Sequence, residues 1–149
     1  MSTDWFWSNP RSRAIDTIGS LAARYRALAA NLEGHAAMCR LPTIRASLEV
    51  LAVTEKAQAQ ALDGFLTGEG RTPSLHPALV IDGPSNWQRL QADLALQAKL
   101  LSDLNQAIVL LEGHDHHAVA RLREIATEEE RNLGDLRDLV LKCDAQALD

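Results

Sequence analysis

Two stretches of the chain share one pattern of apolar and polar residues, and together they restrict the fold more than any other feature. Residues 51–62 (LAVTEKAQAQAL) align without a gap with residues 125–136 (IATEEERNLGDL). In each copy an apolar helical stripe holds an acid and, three residues later, an amide: Glu55 with Gln58, and Glu129 with Asn132. Residues three apart share one helix face, and this face is otherwise apolar. The repeat therefore predicts two equivalent helices that each place polar groups in a core.

A second, shorter repeat extends the relationship to the preceding helices. Residues 32–35 (LEGH) recur as residues 111–114 (LEGH), and in this register Ile18 corresponds to Gln97. The two repeats occur in the same order in both halves of the chain. The sequence therefore predicts two helical hairpins related by duplication.

Caps and apolar periodicity predict four helices at about residues 10–34, 42–66, 85–112 and 115–143, within a single domain spanning 1–149. Asn9-Pro10 is a typical helix start, and Ser85 followed by Gln88 forms a capping box. We expect Gly113 to end the first helix of the second hairpin; Gly34 is a plausible cap for that of the first, though this helix could also continue through His35 to Met38.

Residues 67–84 form the one long segment without helical periodicity, because they contain three prolines and three glycines. At roughly 3.3 Å per extended residue, this segment is long enough to span a helix of the predicted length. It therefore predicts a crossover loop that starts the third helix at the opposite end of the bundle. Two hairpins joined in this way form an all-α four-helix bundle.

Three segments of the chain resemble helices of the ferritin-like superfamily, with most similarity to its rubrerythrin and bacterioferritin branch. Residues 51–62 look like that branch's second helix, and residues 125–136 look like its fourth, where both carry a Glu-x-x-His pattern. Residues 21–29, which include Tyr25, are similar to its first helix. The resemblance covers about residues 11–142 and implies a ferritin-like bundle.

The resemblance also implies where a di-iron centre would lie. That centre uses one glutamate from each of two helices and a Glu-x-x-His from each of the others. The six matching positions here are Ile18, Glu55, Gln58, Gln97, Glu129 and Asn132. Only two acids remain, so we expect no bound cofactor and no catalytic residue, and we predict a non-catalytic bundle that acts as a binding or assembly module. The alternative is a metal-dependent oxidoreductase or iron-handling protein, with iron or manganese held around Glu55 and Glu129.

A purely structural interpretation explains the same side chains. A buried carboxylate is costly unless hydrogen-bonded, and the three amides offer N–H donors. Glu55 and Glu129 could share a proton, with the Tyr25 hydroxyl nearby, in a closed polar network. A helical bundle without any ferritin relation, in which the repeat is accidental, is a third interpretation.

Composition excludes several other classes of function. The net charge of −5 argues against nucleic-acid binding, and no apolar run approaches the roughly 20 residues of a membrane span. The start of the chain lacks the features of a signal peptide. Cys39 and Cys143 lack metal-site spacing and are expected to be reduced thiols at the same end of the bundle. We therefore expect a cytoplasmic protein.

Two further clusters are candidate sites. Trp5, Phe6 and Trp7 are expected either to pack on the end of the bundle or to bridge subunits of a homo-oligomer such as a dimer. His114, His116 and His117 lie in a predicted turn, where they could bind Zn²⁺ or Ni²⁺ at the surface or simply be exposed beside an Asp115 N-cap. His35 and His76 are interpreted as isolated surface or loop residues.

Overall fold

Four long α-helices make up the part of the chain that the computed structural model describes, residues 9–73 and 85–146. They are α1 (Pro10–Met38), α2 (Pro42–Gly68), α3 (Asn86–Leu111) and α4 (His116–Gln146). The all-α four-helix bundle predicted from the sequence is confirmed. The main contacts join α1 with α2 and α3, and α4 with α3 and α2, so α2 and α3 lie on a diagonal.

The predicted caps start the helices. The Asn9 side chain accepts hydrogen bonds from the Arg11 and Ser12 amides at 3.1 and 3.3 Å, ahead of Pro10. Ser85 Oγ accepts from the Gln88 amide at 3.1 Å. Gly113, at φ +82°, turns the chain after α3 in a backbone conformation that favours glycine.

The first helix takes the longer of the two extents that the sequence allows. α1 runs through Gly34 to Met38, so Gly34 is not its cap. No side chain crowds Gly34, and the helix loses only the small propensity cost of one glycine. The extension carries His35 into the bundle core, and the prediction that His35 is a surface or loop residue is therefore wrong.

The connection between α2 and α3 joins opposite ends of the bundle. Just after α2, Arg71 contacts Asp16 near the start of α1 at 2.8 Å. The first residue of α3, Asn86, instead contacts Cys39 at the other end of α1. The two helical hairpins are thus linked by the long crossover that the sequence predicts, and α2 and α3 run parallel.

The core is built mainly from leucine and alanine along the inner stripes of all four helices. Its largest fully buried apolar side chains include Ile18, Leu21, Leu28, Leu48, Leu62, Leu90, Leu104 and Leu111. In length and composition α3 also meets the criterion for a membrane span, as the only such helix in the described ranges. Its inward face carries the buried polar residues Asp93 and Gln97, which contact the other helices of the bundle.

Candidate functional site

Four polar side chains meet in the interior of the bundle, at the level where the two repeats coincide. Glu55 comes from α2, Gln97 from α3, and Glu129 with Asn132 from α4; we call these four residues the polar core. Glu55, Gln97 and Glu129 are fully buried, and Asn132 is nearly so. The apolar stripes around them dictate this position, because each of the four residues lies on the core-facing stripe of its helix, a position that leucine commonly occupies.

Amide groups bridge the two carboxyl groups. Gln97 Nε2 donates a hydrogen bond to Glu55 Oε1 and lies 3.5 Å from Glu129 Oε2. Asn132 Nδ2 donates to Glu129 Oε1 at 3.4 Å. Both oxygens of Glu129 therefore accept from neutral donors, and Gln97 lies between the acids of the two repeats.

Burial controls the protonation of the pair. It raises the pKa of Glu55 to about 10, helped by the charge of Glu129 and by a hydrogen bond to that residue. Burial also raises the pKa of Glu129, against hydrogen bonds from Glu55, Gln97 and Asn132 that lower it. Glu55 is therefore the protonated member of the pair at neutral pH and donates to Glu129. Its second oxygen, Oε2, is buried and has no other hydrogen-bond partner among the described residues.

Tyr25 of α1 closes the fourth side of the polar core. Its side chain is fully buried, and its pKa is raised by burial and then by the charges of Glu129 and Glu55. The phenol is therefore neutral and lies close enough to both acids to interact with them. Among the residues described, neither its hydroxyl nor Gln97 Oε1 has a hydrogen-bond partner.

Two of the six positions that match the di-iron ligands, Gln58 and Ile18, do not join the polar core. Gln58 is half-buried on α2 and, within the described ranges, makes no hydrogen bond to the polar core. Ile18 is fully buried on α1 and contributes only apolar surface. The first helix therefore supplies no acid.

This donor set does not fit a di-iron centre. Such a centre needs imidazoles and several ionised carboxylates. Here one carboxyl of the pair holds a proton, and the amide N–H groups point at the oxygens that a cation would have to contact. No group of three or more His, Cys, Asp or Glu side chains suited to a metal occurs among residues 9–73 and 85–146.

The remaining sequence candidates lie away from the polar core. His114, His116 and His117 are exposed around the α3–α4 turn. Asp115 N-caps α4, as predicted, through a hydrogen bond from the Ala118 amide to its Oδ1 at 3.0 Å. Trp5, Phe6 and Trp7 lie outside the described residues.

A second buried polar pair was missed from the sequence. His35 Nδ1 on α1 and Asp93 Oδ2 on α3 form a hydrogen bond, and both side chains are fully buried. Burial raises the pKa of Asp93, while His35 and the nearby charge of Arg89 lower it. Helical spacing could have revealed the pair, because His35 follows Leu32 by three residues and Asp93 precedes Gln97 by four.

A surface cleft of about 400 Å³ separates α2 from α4 and leads to the polar core. Ser47, Val50 and Thr54 line its α2 side, and Asp138 lines its α4 side. Asn132 also lines this cleft while its amide bonds Glu129. At this cleft the Asn132 side chain alone separates Glu129 from solvent.

Comparison with known proteins adds no assignment. No protein-family model matches the chain, and no curated protein is similar to it at a significant level.

Proposed function

We propose that this protein is a non-catalytic ferritin-like bundle that has lost most di-iron ligands and acts as a cytoplasmic binding or assembly module. The observation that carries the proposal is the position of Gln97, whose N–H group lies between the carboxyl groups of Glu55 and Glu129. A hydrogen-bond donor in this position replaces the positive charge that a metal would bring. The negative charge of the Glu55–Glu129 pair is offset by the amide N–H groups and by the proton that the pair holds.

Such a network favours a structural role for the polar core. Buried polar groups that are hydrogen-bonded between helices can fix the register of the packed helices, at some cost in stability. Gln97 joins α3 to both α2 and α4, which contact each other least among the neighbouring helices. The polar core would then hold the two hairpins together at one level.

Metal content tests this proposal directly. We expect the untagged protein to contain less than stoichiometric iron or manganese after loading with either ion, measured by elemental analysis. The Glu55→Gln/Glu129→Gln variant should give the same result, because neither acid is committed to a metal. A His114→Ala/His116→Ala/His117→Ala variant controls for ions bound at the exposed turn. About two equivalents in the parent and none in the Glu55→Gln/Glu129→Gln variant would overturn the proposal.

A second candidate function is favoured by the atoms that remain without partners. The Tyr25 hydroxyl and Gln97 Oε1 are buried beside two acids and have no hydrogen-bond partner among the described residues. Together with Glu55 and Glu129 they offer oxygen atoms to an iron or manganese ion in an altered site. An oxidoreductase or iron-handling protein would use such a site, and the metal measurement separates the two candidates.

The assembly part of the proposal is supported by apolar side chains on the outside of α2. Val50 and Val53 are 65% and 70% exposed and lie three residues apart on the helix. Val50 also lines the cleft beside α4. A homo-oligomer that buries this surface would remove two valines from water.

Substitution of these valines tests the assembly surface. We expect the parent to have the mass of an oligomer in light scattering at micromolar concentration, and Val50→Lys/Val53→Lys to shift it to a monomer, because lysine opposes burial. Val109→Lys/Leu141→Lys, at other exposed apolar positions, is the matched control and should leave the mass unchanged. A parent that is monomeric at every concentration contradicts this part of the proposal.

A further inference from the structure

The two cysteines of the chain meet at one end of the bundle. Cys39 is the residue that ends α1, and Cys143 lies in the last turns of α4. Both are thiols and both are almost completely buried. α1 and α4 lie on a diagonal of the bundle, but Cys39 and Cys143 at their ends both contact the Asn86 side chain.

A single side chain contacts both sulfurs. Asn86 Nδ2, at the start of α3, lies 3.3 Å from Cys39 Sγ and 3.6 Å from Cys143 Sγ. The two sulfurs therefore lie no farther apart than the sum of these distances. Cysteine side chains occupy discrete staggered rotamers, and a change of rotamer moves a sulfur toward its neighbour without moving the backbone. A bond between them forms when the sulfurs approach to about 2.05 Å, with the two Cα atoms about 4.4–6.8 Å apart.

We propose that Cys39 and Cys143 form a reversible intramolecular disulfide that fastens the end of α1 to the end of α4. The thiols are the reduced state of this latch, in which Asn86 lies against both sulfurs. This inference is independent of the proposed function, because it involves neither the polar core nor the valines on α2.

The oxidant is a low-molecular-weight disulfide. One cysteine loses its proton, and its thiolate attacks a sulfur of the reagent, which gives a mixed disulfide and releases one reagent thiol. The second cysteine, also deprotonated, attacks the protein sulfur of that mixed disulfide and releases the other reagent thiol. Two protein thiols are thereby oxidised to one disulfide while one reagent disulfide is reduced to two thiols. The two protons end on the released thiols.

Closing the bond constrains the unfolded chain between residues 39 and 143. A loop of roughly 100 residues is one of the longer loops for which the chain-entropy account expects strong stabilisation. We expect the melting temperature to rise by roughly 5–15 °C on oxidation, with the helical content unchanged. A dithiol reductant should reverse the change.

Mass spectrometry and thermal melting of the full chain test the latch. Incubation of the pure protein with oxidised glutathione should give a monomer lighter by two hydrogens, with both thiols lost to alkylation and the higher melting temperature. Cys39→Ser and Cys143→Ser should each acquire a single glutathione adduct and show no such rise. Cys39→Ala and Cys143→Ala repeat the test without a buried hydroxyl, in case serine unfolds the end of the bundle.

Three outcomes would overturn the inference. The first is a wild-type chain that keeps both alkylatable thiols, and the second is one that stops at mixed disulfides on each cysteine. The third is a disulfide-linked dimer on a non-reducing gel, which would assign the cysteines to an intermolecular contact. Each is read on the wild-type protein, so none depends on the folding of a variant.

Discussion

Replacing Asp93 by leucine is expected to destabilise the bundle by about 1–3 kcal/mol, the usual cost when one partner of a buried hydrogen bond is removed. Asp93 is fully buried, bonds His35, and faces the charge of Arg89. Leucine removes the buried carboxylate that is hydrogen-bonded to the imidazole of His35. Urea denaturation followed by circular dichroism measures the loss.

Two further variants separate lost pairing from lost shape. Asp93→Asn keeps the volume and one acceptor, so it should lose less stability than Asp93→Leu. His35→Leu/Asp93→Leu replaces both partners, and we expect it to recover a large part of the loss. Asp138→Leu, at an exposed acid on α4, is the matched control and should stay within about 0.5 kcal/mol of the parent. A loss below about 1 kcal/mol for Asp93→Leu would show that the pair contributes little to stability.

The architecture was predictable because its causes are local. Apolar residues at helical spacing, a proline at the first position of α1 and α2, and the Ser85 cap each act over a few residues. The crossover followed from chain length and from the prolines and glycines between α2 and α3. Membership of the ferritin-like superfamily is a different matter and stays a prediction, because many unrelated chains form helical bundles.

The His35–Asp93 pair was missed because one ambiguous residue decided the end of a helix. Gly34 is a common cap, and ending α1 there places His35 outside the core. In the structure the helix continues, since tertiary packing outweighs the propensity cost of a single glycine. Asp93 is also adjacent to Leu94, which is apolar yet the less buried of the two residues.

The membership of the polar core could be anticipated, but its chemistry could not. Repeat alignment indicates that Glu55 and Glu129 occupy equivalent positions, and helical spacing puts Asn132 beside Glu129. Which amide donates to which oxygen depends on rotamers and on the distances between helices. Gln58 illustrates the limit: it has the same spacing from Glu55 as Asn132 has from Glu129, yet it is half-buried.

The protonation of Glu55 predicts that the bundle loses stability as the pH rises. The pKa of Glu55 in the folded chain, about 10, is above its ordinary value of 4.5, so the folded state holds a proton that the unfolded state releases. The stabilising contribution is full below about pH 4.5 and is lost as the pH rises toward 10. One such proton changes the free energy of unfolding by up to about 1.4 kcal/mol per pH unit. We expect a loss of about 2–4 kcal/mol between about pH 6 and pH 9.

Glu55→Gln isolates this effect, because glutamine has the shape of protonated glutamate and an N–H group that can donate to Glu129. The variant should be close to the parent in stability at about pH 5 and more stable than the parent at about pH 9, with a flatter curve between them. Glu124→Gln, at an exposed position on α4, should follow the parent at every pH. Denaturant unfolding at several pH values compares the three proteins. Parallel curves for the parent and Glu55→Gln would mean that Glu55 does not hold the proton of the polar core.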